Sequence, residues 1–311
     1  MQELNLRYFQ SVARTGSLSA AAEELHVAVS AVSRQITNLE QRLELTLFNR
    51  QPRGMALTEP GKLLQAYALR NQLELESVVD QMRSATARQR QTIRVACPDG
   101  MAWHFLPSVI ARFIFDHHEI GFDLQVVESA RASELVKQGS VDIALTFSLS
   151  VDIGVQVVSS HSAAIGALMR NDHPLAAFEA LEMKDLADYP LTVSDTGSTV
   201  RYLFDVACSL SGVKLHPSIA CNTLGVTYTA VSEHPNMVGL CSAMSVSGRV
   251  QKAGLVHIPF KEPQLAQRNL QLQVMADRHL PEHIERFLGI LTASLIEAEK
   301  TAFAGKGESG V

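Results

Sequence analysis

Residues 7–64 read RYFQSVARTGSLSAAAEELHVAVSAVSRQITNLEQRLELTLFNRQPRGMALTEPGKLL and begin with three short helical patterns. The first is predicted to end at Thr15-Gly16-Ser17, and the second to begin after Ser19, a good N-cap residue. The third carries apolar residues at spacings of four and three, which form one stripe: Val32, Ile36, Leu39 and Leu43. Because a short, alanine-rich helix lets the next helix cross it closely, the pattern predicts a helix-turn-helix over about residues 18–37.

The third helix presents a polar face opposite its apolar stripe, formed by Ser30, Ser33, Arg34, Thr37, Asn38 and Gln41. Hydroxyl and amide groups can bond to phosphates and base edges, and an arginine adds charge-assisted contacts. This face is typical of a recognition helix that lies in the major groove of DNA. A solvated amphipathic helix is the alternative that this helix alone leaves open.

The segment TLFNRQPRGMALT reads as two short extended pieces, Thr46–Phe48 and Met55–Thr58, joined by a tight loop. Arg50 and Arg53 lie in that loop, where a wing would hold them near the phosphates or the minor groove. A solvated hairpin is the alternative.

The segment that follows Thr58 has Pro60 near its start and no later helix breaker for about thirty residues, which predicts one long helix. Its apolar residues step by four and three, a seam like that of a coiled coil: Leu64, Ala68, Asn71, Leu75, Val78, Met82 and Ala85. An exposed seam needs a partner, so we expect the helix to pair with a second copy of itself. A helix of the core is the alternative.

The composition of the chain places it among packed proteins. It has 311 residues, 46% hydrophobic and 19% charged, which predicts two or three domains. No apolar run approaches the roughly 18 residues of a membrane-spanning helix, and MQELNLRYFQ lacks the order of a signal peptide, so we expect a cytoplasmic protein with no membrane partner. Four scattered cysteines predict small buried side chains and no metal site or disulfide framework: Cys97, Cys208, Cys221 and Cys241.

The formal net charge of -5 is unevenly distributed. Residues 1–92 hold 11 Lys+Arg and 9 Asp+Glu, net +2, whereas the remaining residues hold 16 and 23, net -7. A weakly basic head therefore precedes an acidic body that we expect to stay clear of DNA.

The N-terminal stretch closely resembles the DNA-binding domain of LysR-type transcriptional regulators. The motifs AAEELHV, SAVSRQI, NLEQRLELTLFNR and LTEPG fall in the order and spacing of that family. The resemblance implies an α/β protein overall, with an all-α winged helix-turn-helix head, a long linker helix and a two-lobed effector domain of the type II periplasmic-binding-protein kind. It also implies a homodimer or homotetramer that binds a double-stranded promoter operator and a small-molecule effector and contacts RNA polymerase, with no cofactor.

Roles carried over from the family give the DNA-binding candidates Ser17, Val29, Ser30, Ser33, Arg34, Gln35, Arg50 and Arg53. One departure concerns the start of the recognition helix, where many family members have Gln-Pro and this chain has Val29 and Ser30. Glutamine would read adenine, whereas valine offers only methyl contact to a thymine. The preferred operator is therefore predicted to differ at that base pair.

Beyond residue 91 the pattern changes to alternating strands and helices, as in TIRVACP, WHFLPSVIARFIF, FDLQVVES, ASELVKQG and VDIALTF. This βαβαβ order predicts a mostly parallel sheet. A similar alternation starts near Leu191, and IPFKEPQLAQRNLQLQVMA (residues 258–276) reads as one return strand. The predicted domains are 1–58 for DNA binding, 59–90 for the linker, 91–300 for the effector domain (lobe I about 91–161 and 266–300, lobe II about 162–265) and 301–311 for a flexible tail.

Loops at the carboxyl ends of the strands should line a cleft between the two lobes. The effector-binding candidates are Asp99, Gly100, Met101, Ser129, Phe147, Asp195, Thr196, Ser198, Thr199 and Thr223. For each of them a turn or N-cap role without a ligand stays open. Helix N-termini favour an anionic group, whereas Asp99 and Asp195 are explained as helix caps or, in the sharper hypothesis, as partners of an amine.

No phosphate-binding glycine loop, GxSxG motif or metal-spaced histidine set occurs in the sequence, so no catalytic role is predicted. The sequence therefore predicts a LysR-type regulator that senses a small molecule and activates or represses its target genes. A ligand-indifferent architectural DNA-binding protein is the first alternative. A cytosolic solute-binding or catalytic protein with a vestigial helix-turn-helix is the second.

Overall fold

The structure is a computed structural model and describes residues 3–52, 54–86, 90–150, 154–250 and 253–304. The chain divides into two compact units, Met1–Arg83 and Ser84–Val311. Among the described residues no helix has the length and apolar character needed to cross a membrane.

The first unit contains three short helices, a hairpin and most of a long helix: α1 (Glu3–Thr15), α2 (Leu18–Glu24), α3 (Val29–Leu43), β1 (Phe48–Gln51), β2 (Gly54–Leu57) and α4 (Glu59–Thr86). Ala21 and Ala22 of α2 are almost fully buried, because small side chains let α2 pack closely against its neighbours. The core of the unit consists of Phe9, Val12, Ala21, Ala22, Val32, Ile36, Leu39, Leu47 and Phe48.

The prediction that Ser19 is the N-cap of α2 is wrong. Ser17 is the N-cap: it has extended backbone, and its hydroxyl accepts a hydrogen bond from the backbone N–H of Ala20 at 3.4 Å. Gly16, at φ 65°, reverses the chain just before it. Ser17 is therefore the residue whose side chain reaches the free N–H groups of the first turn.

The hairpin also begins later than predicted, at Phe48 and not at Thr46, and its second strand is Gly54–Leu57. Glu40 of α3 explains the shift, because its Oε1 accepts hydrogen bonds from the backbone N–H groups of Leu47, at 2.7 Å, and Phe48, at 3.1 Å. A helix side chain thus satisfies the backbone where the sequence predicts the first strand.

Helix α4 leaves the C-terminal part of its predicted seam uncovered. Ala68 is buried, whereas Leu75, Val78 and Met82 are 53%, 46% and 66% exposed. Exposed apolar side chains at this spacing form a surface that a second helix could cover.

Lobe I of the second unit is one sheet with its flanking helices: β3 (Gln91–Cys97), α5 (Asp99–Ala102), α6 (Phe105–Asp116), β4 (Ile120–Val126), α7 (Ser129–Lys137), β5 (Ile143–Ser148), β6 (Val155–Ser162), β12 (Asn269–Met275) and α11 (Glu282–Ala304). The strand order is β4-β3-β5-β12-β6. Phe113 of α6 and Phe287 of α11 meet in the core of this lobe.

Lobe II is built in the same way from β7 (Ile165–Arg170), β8 (Leu191–Ser194), α8 (Thr199–Leu210), β9 (Ile219–Cys221), α9 (Leu224–Glu233), β10 (Val238–Ser242), α10 (Ala243–Val246) and β11 (Leu255–Pro259). The strand order is β11-β7-β10-β8-β9. The chain crosses between the lobes twice, from β6 to β7 and from β11 to β12.

The prediction of one return strand over residues 258–276 is wrong, because the chain forms two strands there. β11 pairs antiparallel with β7 in lobe II, and only β12 pairs with β5 and β6 of lobe I. The turn Pro263–Ala266 separates them, since proline cannot donate to a sheet. Strands that return from the other lobe run antiparallel to their neighbours, so both sheets are mixed and not mostly parallel.

Asp142, in the GSVDIALTF motif, is a structural residue of lobe I. Its carboxylate accepts hydrogen bonds from the guanidinium of Arg94, at 2.9 Å, and from Arg278, at 3.0 Å, and only 2% of the Asp142 side chain is exposed. Burial alone would raise the pKa of Asp142, but the hydrogen bonds and charges of the two arginines outweigh it and lower the pKa below its usual value.

We expect Asp142→Asn to lower the free energy of unfolding of this unit by about 3 kcal/mol at neutral pH, because Arg278 is left buried without a carboxylate. Because the pKa of Asp142 is lowered in the folded protein, its ionised carboxylate stabilises the fold above the ordinary pKa of 3.8. This stabilisation is lost as the pH falls through the lowered pKa. The difference between the two proteins should therefore shrink below about pH 4. Urea unfolding followed by the fluorescence of Trp103, the one tryptophan of the sequence, measures it. An equal difference in acid and at neutral pH would contradict the assignment.

Candidate functional site

The first unit exposes most of the predicted DNA-contacting side chains at the start of α3. Val29, Ser30 and Arg34 are exposed, and Ser33 and Gln35 are half-buried on the same helix. Two consecutive turns of α3 therefore offer hydroxyl groups, a guanidinium and one apolar side chain to a partner. This combination suits the phosphates and base edges of a DNA groove.

The remaining DNA-binding candidates flank that helix in the sequence. Ser17 caps α2 with its oxygen and keeps its O–H free to donate. Arg50 is exposed and lies within β1, paired with Met55, so the prediction that it lies in the hairpin loop is wrong. Arg53 lies outside the described residues.

Between the two lobes of the second unit lies a cavity of about 680 Å³. A volume of this size is typical of a pocket for a small molecule. Both lobes contribute to its walls, including the N-terminal ends of α8 and α9. Eight of the predicted residues line it: Asp99, Gly100, Ser129, Phe147, Asp195, Ser198, Thr199 and Thr223.

Two predicted residues do not line the cavity. Met101 is fully buried and packs in the core of lobe I, because consecutive residues of a helix point in different directions. Thr196 is exposed and is absent from the wall, although its neighbours Asp195 and Gly197 belong to it. The prediction of these two as cavity residues is wrong.

Several hydroxyl groups of the wall also bond to the backbone. Ser129 accepts a hydrogen bond from the N–H of Phe147 at 2.9 Å, and Ser198 caps α8 through the N–H of Arg201 at 3.1 Å. The O–H of Ser129 stays available to another acceptor, whereas the O–H of Ser198 donates to the carbonyl of Asp195 at 3.2 Å.

Asp99 connects the two lobes. It follows β3 of lobe I, and its carboxylate accepts hydrogen bonds from the hydroxyl of Thr223, at 3.2 Å, and from the backbone N–H of Leu224, at 2.5 Å. Both partners lie at the start of α9 in lobe II. Asp99 is therefore a helix cap, as the simpler explanation holds, but for a helix of the opposite lobe. We call this set of hydrogen bonds the inter-lobe clasp.

Trp103 packs beside the clasp, also between the lobes. Its ring lies 4.5 Å from that of Tyr228 on α9, centroid to centroid, and the guanidinium of Arg249 lies 5.1 Å from the Trp103 ring. Separation of the lobes would expose this indole, so its fluorescence reports on closure of the cavity.

Arg268 and Thr146 line the same cavity and were absent from the predicted set. Arg268 lies on the second crossing between the lobes and is 2% exposed. Its Nη1 donates to the hydroxyl of Thr199 at 3.2 Å, and its guanidinium carbon lies 4.1 Å from the centre of the Phe147 ring. The sequence signal that could have identified Arg268 is that it is the one charged residue in the stretch QLAQRNLQLQV.

Three of the four cysteines are buried, as predicted. Burial raises the pKa of Cys97 and of Cys241 to about 12. Cys208 is also buried, whereas Cys221 is only half-buried and differs from its prediction. No group of three or more His, Cys, Asp or Glu residues within the described ranges could hold a metal ion.

Two family descriptions match the two units of this chain. Residues 4–62 match "Bacterial regulatory helix-turn-helix protein, lysR family", and residues 86–295 match "LysR substrate binding domain". The chain belongs to the LysR family. Its families and relatives are regulators and not enzymes, so this LysR-type protein is a DNA-binding transcriptional regulator.

Similar proteins extend over most of this LysR-type regulator. The RuBisCO operon transcriptional regulator of Allochromatium vinosum is 30% identical over 196 residues, 63% of this chain and 65% of that protein. A probable RuBisCO transcriptional regulator of Emiliania huxleyi is 23% identical over 291 residues, 91% of each. A solved full-length OxyR variant of Pseudomonas aeruginosa has the same fold, with a TM-score of 0.59, 17% identity and 97% coverage of each chain.

We expect Asp99→Ala to lower the free energy of unfolding of the second unit by about 2 kcal/mol, since a hydrogen bond to a charged group is lost and the N–H of Leu224 is left without its acceptor. The emission of Trp103 should shift to longer wavelength as the lobes separate. Asp195→Ala is the control, because no hydrogen bond of the Asp195 carboxylate is found within the described residues. Equal unfolding curves and spectra for the two variants would show that the clasp does not hold the lobes.

Proposed function

We propose that this LysR-type regulator binds a small-molecule effector in the cavity between its lobes and thereby changes how it holds its operator. The observation that carries the proposal is the cavity itself, whose walls come from both lobes and are joined by the inter-lobe clasp. A ligand in such a place contacts both lobes at once, so its binding energy depends on their separation. Only that difference can shift the population of two arrangements.

We assign residues 1–58 to DNA binding, 59–90 to the linker, 91–300 to effector binding and 301–311 to a tail. Family matches over 4–62 and 86–295 support the first and third assignments, and the bounds of α4 support the second. The two crossings between the lobes, after Ser162 and before Asn269, support lobe I as 91–161 with 266–300 and lobe II as 162–265. Residues 305–311 lie outside the described chain.

The proposed DNA-binding surface is the exposed start of α3 with Ser17 and the hairpin arginines. Arg34 and Arg50 are assigned to phosphates, because both are exposed and neither forms an ion pair with a described residue. Val29 is 44% exposed at the first position of α3, where it can meet the methyl group of a thymine.

Self-association through α4 is the proposed basis of a homodimer, and of a homotetramer if the second unit also pairs. The exposed seam of Leu75, Val78 and Met82 supports it. We also propose that the protein acts in the cytoplasm and that it contacts RNA polymerase at the promoter.

The proposal as a whole is tested with the full-length protein, duplex DNA selected from a random pool, and a library of metabolites. We expect the selected DNA to show two half-sites separated by whole helical turns. At least one metabolite should change both the emission of Trp103 and the footprint. Diffuse protection that no metabolite alters would favour the architectural DNA-binding protein instead.

Arg34→Ala and Arg50→Ala should each lower the slope of log affinity against log salt by about one unit, because each removes one phosphate contact. Fluorescence anisotropy with the selected duplex at several salt concentrations measures the slope. Arg112→Ala, an exposed arginine of the second unit, is the control and should leave it unchanged. If all three variants have the slope of the natural protein, neither Arg34 nor Arg50 belongs to the DNA-binding surface.

Val78→Asp should weaken self-association by about tenfold or more, because it places a charge in the middle of the α4 seam. Glu74→Asp, at an exposed position of the same helix, serves as the control. Sedimentation of the full-length proteins at several concentrations gives the association constants. An unchanged assembly in Val78→Asp would place the interface elsewhere.

A further inference from the structure

Arg268 is a buried cation whose charge no described residue neutralises. Its side chain is 2% exposed, and its two recorded hydrogen bonds go to neutral acceptors, the carbonyl of Ala163 at 3.3 Å and the hydroxyl of Thr199 at 3.2 Å. No carboxylate in the described part of the chain forms an ion pair with it. A guanidinium carries five N–H donors, so donors remain for a further acceptor in the cavity.

The helix terminus beside Arg268 adds positive potential to the site. Thr199 is the first residue of α8, a helix of 12 residues, and a helix N-terminus carries partial positive charge. On its other side the guanidinium lies against the ring of Phe147. Burial of a charge without a counter-ion is costly, and burial lowers the pKa of Arg268 to about 10, which leaves it charged at neutral pH.

The acidic residues of the cavity do not supply the missing counter-charge. The carboxylate of Asp99 is held by Thr223 and Leu224 in the inter-lobe clasp. Asp195 and Glu128 also line the cavity, but neither forms an ion pair with Arg268 in the described residues.

A second polar group in the same wall lacks a partner. The hydroxyl oxygen of Thr146, on β5 beside Phe147, is buried and has no hydrogen-bond partner among the residues that the structure describes. Buried polar groups in folded proteins are nearly always satisfied. A buried hydroxyl and a buried guanidinium that both line one cavity indicate a ligand that satisfies both.

We infer that the effector is a small organic oxyanion whose carboxylate, or phosphate, pairs with Arg268 at the N-terminus of α8 and accepts a hydrogen bond from Thr146. The inference rests on the proposed effector cavity and names the chemical class that it takes. A guanidinium fork matches the geometry of either anion. The anion also replaces the absent counter-ion, so its binding stabilises the closed cavity between the lobes.

The test measures thermal unfolding of the full-length protein with acetate, succinate, glutarate or inorganic phosphate, at constant ionic strength set with chloride. Acetamide, succinamide and glutaramide serve as uncharged counterparts. We expect at least one anion to raise the unfolding temperature in a saturable way, and its amide not to. Comparison of the carboxylates with inorganic phosphate shows which of the two oxyanions the cavity binds.

Arg268→Met, which keeps the length of the side chain and removes the charge, should weaken that anion by about tenfold or more. Arg268→Lys should recover part of the affinity. Arg201→Met is the matched control and should bind as the natural protein does, because Arg201 lies on α8, whose first residue Arg268 contacts, but pairs with Asp205 at 3.0 Å. Thr146→Val should weaken the anion several-fold, and the emission of Trp103 shows whether each variant is folded.

Three outcomes overturn the inference: no anion gives a saturable shift, the amides act as well as the acids, or Arg268→Met binds as the natural protein does. If a neutral or cationic metabolite alters the footprint and no anion has an effect, the proposed function stands but the inference fails. An anion that binds through Arg268 without altering any footprint supports the inference and removes effector sensing.

Discussion

The arrangement of the second unit depends on one carboxylate of lobe I that satisfies the start of a helix in lobe II. The first N–H groups of any helix have no partner within the helix. At α9 that need is met by Asp99 from across the cavity, through Thr223 and the N–H of Leu224. If the lobes separate, the partly buried N–H of Leu224 loses its acceptor. Separation of the lobes therefore costs a hydrogen bond at the start of α9.

The two helix ends that meet the cavity are treated differently. α9 already has an anion, because Asp99 supplies one from within the chain. α8 has instead a cation beside it, since Arg268 donates to Thr199. One helix N-terminus is thus occupied and the other has an excess of positive charge. The asymmetry places the demand for an external anion at α8.

Local chemistry explains which sequence predictions are confirmed and which are wrong. Helix α3 follows its predicted apolar stripe, of which Val32, Ile36 and Leu39 are buried. The N-cap of α2 is Ser17 and not Ser19, because the turn at Gly16 leaves Ser17 extended. The hairpin starts late because the Glu40 side chain takes the place of a strand partner. Eight of the ten predicted cavity residues line the cavity, since strand ends in a repeated βα order meet at one edge.

The sequence by itself determined the family, the helix-turn-helix, the long helix and the two-lobed alternation, because periodicity, caps and motif spacing are properties of neighbouring residues. The tertiary structure alone decided that Asp99 binds a helix 124 residues away and that Arg268 has no acidic partner in the described part of the chain. It also placed Met101 in a core and Thr196 on the surface. The physical reason is that the partner of a charge depends on which strand ends and helix starts are brought together, and no local pattern records that.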